Sequence, residues 1–134
     1  MTERGLKVFG HICNVGDPKQ RQDMLQKIKE QHGYLDVLVS NAACLAHSGT
    51  TLTIDEKAFD KLFDINVKAS FFLIKECLPL LQASKSANIL VVSSVTGTTP
   101  QEIIGVYSMT KAALDNMVKG LAQELRNDHI RVNG

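Results

Sequence analysis

The chain has 134 residues, enough for one domain, with fifteen Lys+Arg against fourteen Asp+Glu and a net charge of +1. Charge this balanced, without a basic cluster and with 5% aromatics, gives no footprint for nucleic-acid binding. No apolar run approaches the length of a membrane span, the start Met1-Thr2-Glu3-Arg4-Gly5 lacks the apolar region of a signal peptide, and Cys13, Cys44 and Cys77 form no C-x-x-C.

An odd cysteine count of this kind implies a soluble, intracellular and reduced protein, with cytoplasm, mitochondrion and peroxisome not distinguished. Lys7 to Val15 reads as a short strand. Asp17 as N-cap and Pro18 at the first position open a helix to about His32, with Met24, Leu25 and Ile28 on one face and Gly33 at its end. Leu35 to Val39 is a compact apolar run suited to a buried parallel strand, and Ser40-Asn41-Ala42-Ala43 follows its carboxyl end. Thr53 and Glu56 have the spacing of a capping box. From there helical spacing continues, with room for a break, through Phe59, Phe63, Val67, Phe71, Ile74 and Leu78 to Leu81, and Pro79 is placed to kink its end. Asn88 to Ser93 is a second buried strand. Ser94 to Gly105 is a loop, Val106 to about Arg126 a long helix, and Ile130-Arg131-Val132 the start of a further strand. The β-α-β-α-β-α-β order implies right-handed crossovers and a parallel sheet with helices on both faces, in the α/β class. Ligands of such sheets sit outside the carboxyl ends of the strands, where Asn14, Asn41 and Ser94 fall.

Tyr107 and Lys111 form a Y-x-x-x-K run, and Ser94 precedes the tyrosine. Residues four apart on a helix share a face, about 6 Å apart along the axis. An ammonium at that distance favours the phenolate, and a nearby serine hydroxyl can donate to a substrate carbonyl. Such a trio can exchange a proton with an oxygen while a hydride moves at the adjacent carbon. By itself the run is also what a solvated Tyr–Lys pair looks like.

Four stretches in order make the pattern specific. Ser40-Asn41-Ala42-Ala43, Asp64-Ile65-Asn66-Val67, Val91-Val92-Ser93-Ser94 and Tyr107 to Lys111, the last followed by a long helix and Arg131-Val132-Asn133, resemble the signatures of the short-chain dehydrogenase/reductase family. Cys13-Asn14-Val15-Gly16 and Val39 to Ala43 further resemble the dehydrogenase/reductase member-four type carbonyl reductases. The resemblance implies a Rossmann-like doubly wound sheet and NAD(P)-dependent oxidation or reduction of small-molecule carbonyl or alcohol substrates. NADP is favoured over NAD only by the member-four likeness. It further implies a homo-oligomer.

Residue by residue, the resemblance makes Tyr107 the general acid and Ser94 the group that orients the carbonyl. Lys111 would favour the phenolate and bind the nicotinamide ribose. Asn66 would hold a relay water near Lys111, or else be satisfied structurally. Asn41 and Ala42 would shape the cofactor wall, and Asn14 and Val15 would lie against the adenine. Asn14 stands where the family has aspartate, and Ala43 where it has glycine. Ser94 as a turn cap, and Asn14 and Asn41 as turn formers, are the plainer alternatives. Cys44 and His47 read as an inert thiol and a neutral loop histidine, Cys13 and Cys77 as core, and His11, His32 and His129 are too scattered for a metal site.

No G-x-x-x-G-x-G or G-x-G-x-x-G occurs in the sequence. Family members carry the former after their first strand, where glycines and helix amides cradle the pyrophosphate. The expectation is a single partial NAD(P)-binding domain over residues 1–134, lacking the first two strands with the glycine-rich loop and the C-terminal strands. In the strand order 3-2-1-4-5-6, Lys7–Val15 would then stand roughly 14 Å from Leu35–Val39. It must detach, stay disordered or pair directly with Leu35–Val39. Catalysis by the chain alone would be impaired. The contrasting reading is a non-catalytic chain that associates with a full-length family member.

Overall fold

The computed structural model describes Gly5 and residues 7–134. Helix α1 spans Pro18–His32 and begins as its sequence dictates. The Asp17 side chain accepts from the Lys19 and Gln20 amides, and Pro18 fills a first-turn position that needs no N–H. Gly33 ends it at φ 77°, the left-handed conformation that glycine adopts without Cβ strain. Strand β1 (Val37–Ser40) follows, then the 3₁₀ turn Thr51–Thr53 and helix α2 (Glu56–Phe63). The N-cap of α2 is Asp55, whose carboxylate accepts from the Ala58 amide. Thr53 instead closes the 3₁₀ turn, donating its hydroxyl to the Thr50 carbonyl, so the capping box does not form.

The break for which the helical spacing left room falls after Phe63, as a π-helical turn, Asp64–Lys68, before α3 (Ala69–Gln82). Such a turn widens the helix by one residue and commonly marks a functional position. Pro79 lies inside α3, which continues for another turn beyond it. Strand β2 (Asn88–Val91), the 3₁₀ turns Val95–Gly97 and Glu102–Ile104, and helix α4 (Gly105–Glu124) come next. A 3₁₀ turn, Leu125–Asp128, links α4 to strand β3 (Arg131–Asn133).

The three strands are parallel in the order β1-β2-β3, with Ser40 opposite Val91 and Ile89 opposite Val132. This is the expected α/β architecture. Each step across the sheet goes the same way, so right-handed crossovers carry every helix to one face. Leu38, Ile89, Val91 and Val132 bury there against Leu25 of α1, Leu73, Ile74 and Cys77 of α3, and Leu114 of α4. The opposite face carries Val37, Val39, Leu90 and Val92, all exposed. Among the described residues, therefore, helices cover one face and not both.

Lys7–Val15 is the clearest departure, since it forms no strand. A strand requires a ladder of partners, and β1 does not supply one. The segment detaches, and Val8, Phe9 and Ile12 are exposed. Phe9 meets the His32 ring edge-on at 5.6 Å between centroids, and His11 Nδ1 lies 3.4 Å from Lys27 Nζ, so the segment follows α1 rather than the sheet.

Candidate active site

The carboxyl ends of β1 and β2 lie side by side, and each releases a run of small residues: Asn41-Ala42-Ala43 after Ser40, and Ser93-Ser94 after Val91-Val92. Helix α4 is stitched to the second of these ends. Lys111 Nζ donates to the Val92 carbonyl at 2.9 Å, and Ser93 Oγ donates to the Lys111 carbonyl at 3.2 Å. Lys111 is only 2% exposed, and its ammonium lies 5.4 Å from the centroid of the half-buried Tyr107 ring. Burial holds the Lys111 ammonium below the usual lysine range, and Asp115 one turn further along α4 opposes that shift.

Ser94 sits in extended backbone before the 3₁₀ turn Val95–Gly97. Its Oγ accepts from the Thr96 amide at 3.2 Å and from the Thr96 hydroxyl at 3.0 Å. The plainer reading, a serine that caps a turn, is thus present in the geometry. The cap occupies lone pairs, whereas the hydroxyl proton remains available to donate. Ser94 borders a shallow groove with Ser93, Thr98, Asp115 and Lys119.

Asn66 sits in the π-helical turn and is fully buried. Its Oδ1 accepts from the Cys44 amide at 2.7 Å, and its Nδ2 donates to the Cys44 carbonyl and to Thr110 Oγ1, each at 3.1 Å. Thr110, also fully buried, donates in turn to the Tyr107 carbonyl at 2.6 Å. The Asn66 amide is therefore engaged by protein groups. It ties the loop after β1, which bears the exposed Asn41 and Ala42, to the turn of α4 that presents Tyr107. The widened turn leaves the Asn66 carbonyl to the Ser70 hydroxyl at 3.1 Å.

Asn14 and Val15 lie apart from this cluster. Asn14 is exposed, its Oδ1 accepting from the Gly16 amide at 3.0 Å as in an Asx turn, and its carbonyl accepts from the Asp17 amide. Arg21 Nη1 donates to the Val15 carbonyl at 2.6 Å, while Nε and Nη2 grip both carboxylate oxygens of Glu76 at 2.9 and 2.8 Å. Asn14, Arg21, Ile65 and Glu76 share one groove. His47 Nε2 stays in its own loop, 3.3 Å from the Thr50 carbonyl. Burial pushes the Cys77 thiol up to about 12, as suits a core cysteine. Cys13 is half-buried, and burial raises its thiol as well.

The residues not anticipated are Thr96, Thr110 and the Cys44 backbone. Only Thr110 left a sequence signal, being one helical turn from Tyr107 on the same face. No group of three or more His, Cys, Asp or Glu side chains could hold a metal among the described residues. No helix among them is long and apolar enough to cross a membrane.

Comparison with known proteins agrees with the parallel α/β fold. The sequence matches the family described as short chain dehydrogenase over residues 1–134. It is 38% identical over 133 residues to tropinone reductase-like 3 of Erythroxylum coca, covering 99% of this chain and 50% of that protein. It is 36% identical over 129 residues to dehydrogenase/reductase SDR family member 4 of Bos taurus, covering 96% and 46%. A crystal structure of a putative short chain dehydrogenase from Escherichia coli CFT073 superposes with a TM-score of 0.88 at 26% identity, over 99% of this chain and 61% of that one. The chain thus spans about half the length of the curated relatives it matches. The chain, a parallel α/β core matched over residues 1–134, belongs to the short-chain dehydrogenase family.

Proposed function

We propose that this chain is an NAD(P)-dependent oxidoreductase core acting on carbonyl or alcohol substrates, with Tyr107 as acid/base. The observation that carries the reading is the buried Lys111 ammonium, anchored to the Val92 carbonyl and lying over the Tyr107 ring. An ammonium offers three donors, and Val92 takes one. No other partner of Nζ occurs among the described residues, so the remaining donors suit a ribose diol beside the phenol. The nicotinamide cofactor, NADP or NAD, supplies the hydride. Tyr107 gives its phenolic proton to the substrate oxygen as that oxygen gains charge. Ser94 donates to the same oxygen, and the Lys111 charge offsets the phenolate that remains. Asn66 acts as the tie between the cofactor-wall loop (Asn41, Ala42) and the Tyr107 turn, and Asn14 and Val15 provide the adenine end.

Residues 1–134 are read as one partial NAD(P)-binding Rossmann-like domain, and the relatives' double length supports this. The sequence has no glycine-rich phosphate motif. Each charge-assisted hydrogen bond that such a motif makes to the pyrophosphate is worth roughly 1.5–3 kcal/mol, so residues 1–134 acting without one would bind cofactor more weakly by orders of magnitude. Self-association through α2 is part of the same reading. Phe59 and Phe63 stack there at 4.8 Å, with Phe59 38% exposed, a surface suited to a second copy.

Turnover of a generic 1,2-dicarbonyl with NADPH and with NADH tests the reading. Activity that falls at least about 100-fold in Tyr107→Phe supports it. A folded chain that binds neither cofactor at millimolar concentration rules out catalysis by residues 1–134 alone, and turnover in Tyr107→Phe equal to wild type contradicts the acid/base role of Tyr107.

A further inference from the structure

We infer that Thr96 is a positioning residue that holds Ser94 as a hydrogen-bond donor toward the substrate oxygen. The inference rests on the role proposed for Ser94 and extends it to a residue with no reacting atom of its own. A serine hydroxyl has one proton and two lone pairs. The Thr96 amide reaches Ser94 Oγ at 3.2 Å and the Thr96 hydroxyl reaches it at 3.0 Å, so both lone pairs are engaged from one residue. The Ser94 proton is then the group left to point outward.

Thr96 is itself 5% exposed, and its turn is clamped against α4. A Cβ at Gly97 would lie 3.0 Å from the Lys111 carbonyl carbon and closer still to the Asp115 carboxylate, so the turn and helix touch backbone to backbone. Thr98 and Thr99 amides both donate to the Val95 carbonyl, which closes the turn from the other side. Thr96 therefore cannot follow Ser94 if the serine rotates. Removing its hydroxyl frees one lone pair of Ser94, and the serine proton can then turn away from the substrate.

The test compares Thr96→Val, Thr96→Ser, Ser94→Ala and the double variant Ser94→Ala/Thr96→Val in dicarbonyl turnover. One neutral hydrogen bond corresponds to about fivefold in rate. Thr96→Val is expected to lower kcat about fivefold or more with the cofactor KM unchanged, and Thr96→Ser to restore it. Thr96→Val is expected to add nothing on the Ser94→Ala background. A further loss in the double variant, or full activity in Thr96→Val while Ser94→Ala is impaired, overturns the inference. If Ser94→Ala itself is fully active, the functional reading of Ser94 fails instead.

A readout independent of turnover accompanies this. Proton NMR of the unliganded chain is expected to show a slowly exchanging Thr96 hydroxyl that Ser94→Ala releases. A folded spectrum in which that proton exchanges at the bulk hydroxyl rate overturns the inference. If Thr96→Val fails to fold, Thr96→Ala against Thr96→Ser carries the same comparison.

Discussion

Replacing Asn66 with alanine removes the polar tie between three chain segments at once. Asn66 has no exposed surface, and its side chain makes three hydrogen bonds, two to the Cys44 backbone and one to Thr110 Oγ1. At about 1 kcal/mol net for each, the loss is about 3 kcal/mol. The Cys44 amide and carbonyl are left facing a void, and a water entering it reduces the cost toward about 2 kcal/mol. Ser70→Ala is the internal control. It removes one bond, from the Ser70 hydroxyl to the Asn66 carbonyl, and is expected to cost about 1 kcal/mol. Urea denaturation measures both, and the thermal midpoint of Asn66→Ala should fall by roughly 10 °C for a domain this size. Amide exchange locates the damage, with the Cys44 amide losing protection in Asn66→Ala and keeping it in Ser70→Ala. If Asn66→Ala costs no more than Ser70→Ala and Cys44 stays protected, the network does not hold the loop and the reasoning fails.

Other outcomes follow from the same geometry. Arg21→Met should destabilise by about 2 kcal/mol, because Glu76 and the Val15 carbonyl lose their partner; Arg21→Met/Glu76→Gln should recover most of that in urea melts. Lys111 has a folded-state pKa held below its unfolded value, so the unfolded chain binds more protons between the two. Stability should therefore rise with pH through that window, up to the usual lysine value of about 10.4, and Lys111→Met should flatten the rise in pH-dependent melts. The sheet face exposed among the described residues should add to association through α2. Val37→Thr/Val39→Thr should shift size-exclusion elution toward smaller assemblies while leaving the melting midpoint within a few degrees.

What the sequence disclosed and what it withheld divide along the range of the interactions. Helix α1 was legible to the residue because its start and stop are local: Asp17, Pro18 and Gly33 act within one turn of their own backbone. The apolar runs around Leu38 and Ile89 announced parallel strands for the same reason, though among the described residues only one face of each is buried. Lys7–Val15 has a strand's composition but no ladder to join, and composition does not report the partner. The capping box failed because Asp55 stands nearer to the first turn of α2 than Thr53 does. At the site, Tyr107 and Lys111 were readable from helical spacing. The engagement of Asn66 was not, since its partners lie 22 and 44 residues away. Nor could spacing reveal that Lys111 spends one donor on the Val92 carbonyl.

Hydride transfer with Tyr107 as the proton donor is tested most directly by isotope. The chain is incubated at millimolar concentration with nicotinamide cofactor deuterated at the transferring position and a 1,2-dicarbonyl, and the product is weighed by mass spectrometry. The account predicts an alcohol carrying one deuterium on its new carbinol carbon, formed by the wild-type chain and not by Tyr107→Phe. A folded wild-type chain that yields no deuterated alcohol, or a Tyr107→Phe chain that yields it at the wild-type rate, would contradict it.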